Sequence, residues 1–224
     1  GDMASRILDI AGIVVNRNTI PGDTSAVDPS GIRMGTPWIT QRGFKETETS
    51  QLADIIADIL LATKPHSRVG IGTKIRRAKV DFDVLEQGKI RVRDLALAAG
   101  IDFEPANHGY PHFYYLDDKP NRGDWAVLNL SGDRVRFFLD LALGSDVEAL
   151  QFGQSQPTLV KLPKESVRCT LTALSAYEYR LTVPAGKMAL VATWLRDLSD
   201  GYVEFDQDVE KKLPGLTEVE ISDA

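Results

Sequence analysis

The stretch FEPANHGYPHFYYLDDKPNRGD, residues 103–124, follows neither a helical nor a strand period, and four of its last six residues are turn formers. Neither a helix nor a strand continues through such a run. It therefore separates two modules, 1–102 and 124–224, with 103–123 as an aromatic, turn-rich linker. The charge changes at the same place. Residues 1–100 hold 14 Lys+Arg against 12 Asp+Glu, and the remainder holds 12 against 20, giving +2 and -8. With 43% hydrophobic and 26% charged residues, the 224-residue chain has enough apolar side chains for two small cores. The net charge of -6 argues against a bulk electrostatic grip on nucleic acid or an anionic membrane. No long apolar run supports a membrane span. A single cysteine, Cys169, excludes an internal disulfide, and the alternating run VRCTLTA makes it a small buried hydrophobe. With three His, no metal site is expected, and His108 and His112 are separated by Gly109 and Pro111, which break a helix. The opening GDMASR reads as a tag remnant, so the natural chain is expected to extend upstream.

In the first module SRILDIAG reads as a short helix ended by Gly12, and IVV enters a strand. The Gly-, Pro-, Asp- and Ser-rich run NRNTIPGDTSAVDPSG, 16–31, reads as loop, where binding residues tend to sit. IRMG and PWITQRG read as two short strands turning at Thr36-Pro37. TETSQLADIIADILLATK is a helix capped by Thr47 or Thr49, with Leu52, Ile55, Ile56, Ile59 and Leu60 on one face. Residues 68–98 read as helix in two pieces with Gly88 as the weak point, and Leu95 and Leu97 pack the last turns. The basic residues Arg68, Lys74, Arg76, Arg77 and Lys79 would then form a solvent or partner face of that helix. VGIGTK, 69–74, lacks the glycine spacing of a phosphate loop. The aromatic run HGYPHFYY, 108–115, reads as a plug over one core or between the two.

The second module alternates strand and helix. WAVLNLSG, TLVKLP, SVRCTLTALS, EYRLTVP and YVEFD read as strands, with a tight turn near Ala176. DRVRFFLDLAL and GKMALVATWLRDLS read as helices, the latter packed through Met188, Val191 and Leu195. The tail EKKLPGLTEVEISDA adds an edge strand. This order predicts a sheet covered by helices on one face.

The constellation with most chemistry is Asn18, then the loop, then Ser30-Gly31-Ile32-Arg33. An arginine between glycines, entering a strand from a Gly/Pro loop, is placed to grip a planar carboxylate with two parallel hydrogen bonds. A surface or structural salt bridge is the other reading of the same arginine.

GIVVNRNTIPGDTSAVDPSGIRMGTPWITQRGFKETE, 12–48, resembles serine hydroxymethyltransferases, from N-x-N-x-x-P through S-G-I-R-x-G-T-P to R-G-F. The resemblance implies that residues 1–102 form the small C-terminal domain of an aminotransferase-type pyridoxal-phosphate enzyme. By the same resemblance Arg33 binds the serine or glycine carboxylate and Asn18 contacts folate, with Ser30, Gly31, Gly35 and Thr36 as the supporting loop. The departures matter as much. In the family the cofactor lysine lies in a large domain, after a histidine, and none of the eleven lysines here follows one. The 22–29 loop is about one residue short and lacks the family phenylalanine. Pyridoxal phosphate carries the carbanion chemistry, which an arginine alone does not replace.

WAVLNLSGDRVRFFLDLALGSDVEALQFGQ and YRLTVPAGKMALVATWL resemble part of the folate-binding glycine-cleavage aminomethyltransferases. That family ends a strand in asparagine and places an aspartate seven residues on, three before an aromatic residue. With Trp194 at the aromatic position, Pro184 and Val191 replace the two polar residues, so the resemblance implies a lost site.

The expected fold class is therefore α/β and α+β: a small pyridoxal-enzyme domain followed by a partial aminomethyltransferase-like domain. The expected protein is a fragment of a cytoplasmic hydroxymethyltransferase that interconverts serine and glycine with tetrahydrofolate. Its parent would use pyridoxal phosphate and tetrahydrofolate and could form homo-oligomers. The isolated chain is expected to hold no catalytic residue, to bind no cofactor and to be inactive without the missing large domain. The alternative is a non-catalytic folate- or carboxylate-binding regulatory module. No nucleic acid or membrane partner is expected.

Overall fold

The computed structural model describes residues 1–69, 74–99, 114–119 and 123–222. It shows the mixed α and β architecture expected from the sequence, divided into two compact units, Gly1–His112 and Phe113–Ala224.

The first unit begins with helix α1 (Asp2–Ile10), whose Ile7 and Leu8 are fully buried. Gly12 ends it with φ +85°, a left-handed conformation open to glycine. A two-stranded antiparallel ribbon follows, β1 (Asn16–Asn18) with β2 (Gly31–Arg33). The strand therefore starts at Asn16, inside the run read as loop, and not at Ile13–Val15. Pro37–Gln41 is not a strand but a short helix, α2. Its Thr-Pro start fits a helix N-terminus, since proline at the first position loses no helical hydrogen bond.

Helix α3 (Glu46–Leu61) buries Ile55 and Ile59. It starts two residues earlier than a Thr47 cap implies and four earlier than a Thr49 cap, because the Glu48 carboxylate accepts the Lys45 N–H at 2.9 Å. The segment read as a helix from residue 68 is instead an antiparallel hairpin, β3 (Thr63–Val69) with β4 (Lys74–Val80). One continuous helix, α4 (Phe82–Ala98), then runs through Gly88, capped where the Asp81 carboxylate accepts the Val84 N–H at 3.1 Å. Leu97 is about half exposed and lies outside the core, contrary to the sequence reading, while Phe82 and Leu85 enter the core with Ala78 and Val80 of β4.

The second unit is a five-stranded antiparallel sheet in the order β6-β7-β8-β5-β9. Its strands are β5 (Trp125–Ser131), β6 (Ser155–Lys161), β7 (Ser166–Ala173), β8 (Glu178–Pro184) and β9 (Glu218–Ile221). Strict alternation puts Val167, Cys169, Leu171 and Ala173 of β7 and Tyr179, Leu181 and Val183 of β8 on one buried face. Helices α5 (Val135–Ala142) and α6 (Met188–Asp200) supply the apolar partners. Each fully buried Val or Leu of α6, such as Val191 and Leu195, contributes about 1.5–3 kcal/mol of burial. YVEFD is not a strand, and the last strand is β9 in the tail, at the sheet edge beside β5. Tyr114 packs within this unit. Its hydroxyl donates to Val219 O at 2.7 Å, and the Arg196 guanidinium lies 5.7 Å from its ring centroid. Tyr115 donates its N–H to the Asp118 carboxylate at 2.8 Å, and residues 108–113 of the aromatic run, including His108 and His112, lie outside the described residues.

Candidate carboxylate-binding site

The β1–β2 register pairs Asn16 with Arg33, Arg17 with Ile32 and Asn18 with Gly31. Paired residues of an antiparallel ribbon share a face, and alternate residues share it along a strand. Asn16, Asn18 and Arg33 therefore stand on one face, and Arg17 and Ile32 on the other. Arg17 reaches Asp2 of α1 at 3.3 Å. Arg33 is exposed, and among the described residues its guanidinium has no hydrogen-bond or ion-pair partner. The Asn18 amide donates to Thr19 O at 3.0 Å.

A loop of residues 19–30 joins the two strands. Ser30 and Ile20 both donate to the Asp23 carboxylate, and the Ser30 hydroxyl and amide hold that carboxyl below the ordinary aspartate value. Asp28, in the same loop, pairs with Arg76 of β4 at 2.5 Å. Gly31 has a packing reason to be glycine, since a Cβ there would lie 2.3 Å from Ile20 Cγ2 and 3.0 Å from Asn18 O. Gly35 is roomier, with its nearest neighbour, Pro37 Cδ, 3.7 Å from such a Cβ. Thr36 stands at the start of α2, where its carbonyl accepts the Thr40 N–H at 2.9 Å. Neither Asp23 nor the Asp28–Arg76 pair was singled out in the sequence. The Pro-Gly-Asp turn signal marked the first, whereas the second needed the fold.

The basic stretch, read as a helix face, is split across β3 and β4. Arg76 is committed to Asp28, and Lys79 is buried at 4% exposure. No lysine of this unit whose side chain is described fits a Schiff-base role toward pyridoxal phosphate. Lys89 is buried on Glu86 at 2.6 Å, Lys79 is closed into the core, and Lys45 and Lys64 stand in solvent.

In the second unit Pro184 ends β8 opposite Trp125, and Val191 of α6 is fully buried. Neither side chain carries a polar atom, so these two positions supply no acid, base or hydrogen bond. Burial pushes the Cys169 thiol up to about 12, which keeps it a protonated, inert core group. Among the described residues no group of three or more His, Cys, Asp or Glu could hold a metal ion, and no helix is long and apolar enough to cross a membrane.

A family model described as Serine hydroxymethyltransferase matches residues 1–56. Similar proteins include the serine hydroxymethyltransferase of Natronomonas pharaonis, 54% identical over 61 residues, which are 27% of this chain and 14% of that protein. The serine hydroxymethyltransferase of Caenorhabditis briggsae is 41% identical over 96 residues, 43% of this chain and 19% of its own length. The chain thus spans less than a fifth of these relatives. The C-terminal region resembles the crystal structure of glycine cleavage system aminomethyltransferase T from Bartonella henselae. That match has 19% identity and a TM-score of 0.36, over 44% of this chain and 24% of the other. The face shared by Asn18 and Arg33 lies inside the matched N-terminal residues, and that part of the chain is a serine hydroxymethyltransferase-like segment.

Proposed function

We propose that the first unit is the substrate-facing part of a hydroxymethyltransferase that moves a one-carbon unit between serine and tetrahydrofolate. Arg33 grips the amino-acid carboxylate with two parallel hydrogen bonds, and Asn18 contacts the folate. The observation that supports this most is the β1–β2 register, which sets Asn18 and an unpartnered, exposed Arg33 on the same face of one ribbon inside the matched segment. Pyridoxal phosphate, when bound in the parent, stabilises the carbanion. No lysine described in the first unit fits the cofactor, so this chain's own part is to bind and orient the carboxylate, and the chain alone is proposed to be inactive.

A single bidentate carboxylate contact is worth about 1.5–3 kcal/mol, which corresponds to a Kd on the order of 10–100 mM. Glycine added to the isotope-labelled chain should therefore shift the Arg33 Nε–H resonance weakly and saturably. No shift over that range removes Arg33 from the site. Millimolar or tighter binding would favour a free-standing carboxylate-sensing module instead. Pyridoxal phosphate added to the chain should leave no borohydride-trapped mass on any lysine. A single stoichiometric adduct would overturn the proposed inactivity of the chain alone.

A further inference from the structure

One carboxylate closes the loop between β1 and β2. Asp23 Oδ2 accepts the backbone N–H of Ile20 and that of Ser30, each at 3.0 Å, and Oδ1 accepts the Ser30 hydroxyl at 2.5 Å. The Asp23 N–H in turn donates to Ile20 O at 3.1 Å. These bonds tie the chain just past β1 to the last residue before β2. Their acceptor is ionised, which places them in the stronger class of hydrogen bond.

The consequence is one of register. In a ribbon a slip of one residue turns every side chain to the opposite face. Here a slip would carry Arg33 to the side where Arg17 meets α1 and away from Asn18. Each strand has three residues, and most of their side chains are exposed, so burial does little to specify the register. The twelve-residue 19–30 segment, which forms no helix or strand, must be closed at a defined length by something else. The Asp28–Arg76 pair holds the same loop, but both partners are about half exposed, at 55% and 52%, and such pairs contribute little.

We infer that Asp23 is the positioning residue of the Arg33 site: it closes the 19–30 loop at the length that keeps Asn18 and Arg33 on one face. It touches no ligand itself, and its functional weight rests on the reading of Arg33 and Asn18 proposed above. The Gly1 ammonium, which donates to Ser30 O at 2.7 Å, is a neighbouring charge that acts on it, while Asp2 pairs with Arg6 and Arg17, and Asp28 pairs with Arg76.

The test uses the full, isotope-labelled chain and three variants, Asp23→Ala, Asp23→Asn and Asp28→Asn. Wild type should show the cross-strand contact between the Arg17 and Ile32 backbones by nuclear Overhauser effect. Its Ser30 amide should follow an ionisation that sits below the ordinary aspartate value. Asp23→Ala should lose both, and should weaken glycine binding, read on the Gly31–Met34 amides, by at least about tenfold. Resonances of β3 and β4 and the melting midpoint should stay where they are. Asp28→Asn should keep the Arg17–Ile32 contact and the Ser30 titration. Retention of that contact in Asp23→Ala overturns the inference. So does a change that spreads to β3 and β4, which would mark a general lesion. If Asp23→Ala does not fold, Asp23→Asn decides on the same readouts, since it keeps one acceptor and the volume but not the charge. If glycine moves no resonance of the wild type, the carboxylate reading of Arg33 fails, while the Arg17–Ile32 contact still decides the role of Asp23.

Discussion

Gly88 leaves the space into which Ile59 packs: a Cβ on Gly88 would lie 2.7 Å from Ile59 Cδ1 and 3.1 Å from its Cγ1. Ile59 is fully buried on α3, so its side chain would have to shift within the packed interior and not into solvent. Alanine in a helix interior is favoured over glycine by roughly 0.5–1 kcal/mol, whereas overpacking a core costs about 1–3 kcal/mol. Gly88→Ala should therefore destabilise the chain by about 1 kcal/mol in urea unfolding. Ile59→Val removes the Cδ1 that collides, so the double variant should lose less than the sum of the two single losses. Strict additivity would show that α3 and α4 do not meet at this pair.

Gly88 also shows where the sequence was legible and where it was not. A glycine inside a helical pattern reads as a weak point, yet here it is the contact that lets α3 approach α4 within one unbroken helix. The strands of the second unit were legible because their apolar residues alternate, as in Val167, Cys169 and Leu171. The β3–β4 hairpin was not, because its strands alternate among basic and polar residues and bury Lys79 where a hydrophobe would announce a core. Asn18 and Arg33 could be picked out from the run that carries them. Their common face could not, because it depends on the β1–β2 register and on the Asp23 hydrogen bonds across the intervening loop.

Alkaline pH should weaken the second unit through Cys169. Burial pushes this thiol up to about 12, whereas the unfolded chain ionises near the usual thiol value of roughly 8.5. The folded state thus holds a proton that the unfolded state releases. The associated stability is full below the unfolded value and is lost as pH rises through the interval toward 12. Burial also raises Tyr114 and Tyr179, which add to the loss from about pH 10 upward. Cys169→Ala should flatten the decline of melting temperature between about pH 8.5 and 10, before the tyrosines contribute. An unchanged slope would mean that the thiol is accessible when folded.

Tyr114 holds the edge strand β9. Its hydroxyl donates to Val219 O at 2.7 Å and accepts the Ile221 N–H at 3.3 Å, occupying backbone groups that an edge strand otherwise leaves open. Tyr114→Phe keeps the buried ring and removes both bonds. The expected cost is about 1–3 kcal/mol, since two backbone groups lose their partner. Hydrogen exchange at Ile221 should accelerate, while exchange in β7, three strands further in, should not. Equal acceleration in β7 would mean that the hydroxyl supports the whole sheet and not its edge.

Arg33→Lys separates the two readings of this arginine. The guanidinium is exposed and, among the described residues, has no ion-pair or hydrogen-bond partner, so the change should alter stability by no more than about 0.5 kcal/mol. Lysine keeps the charge but presents a point donor in place of the planar fork, so one of two parallel hydrogen bonds to a carboxylate is lost. Losing about 1.4 kcal/mol weakens binding tenfold. Glycine should therefore saturate the Gly31–Met34 amide shifts at about tenfold higher concentration in Arg33→Lys. In an active protein carrying this segment, the serine requirement should rise by a similar factor with the cofactor absorbance unchanged. Glycine saturation at the wild-type concentration would take Arg33 out of the site. An unfolding free energy lowered by more than about 1 kcal/mol would make Arg33 a structural residue, held by an ion pair that its exposed position on β2 does not show.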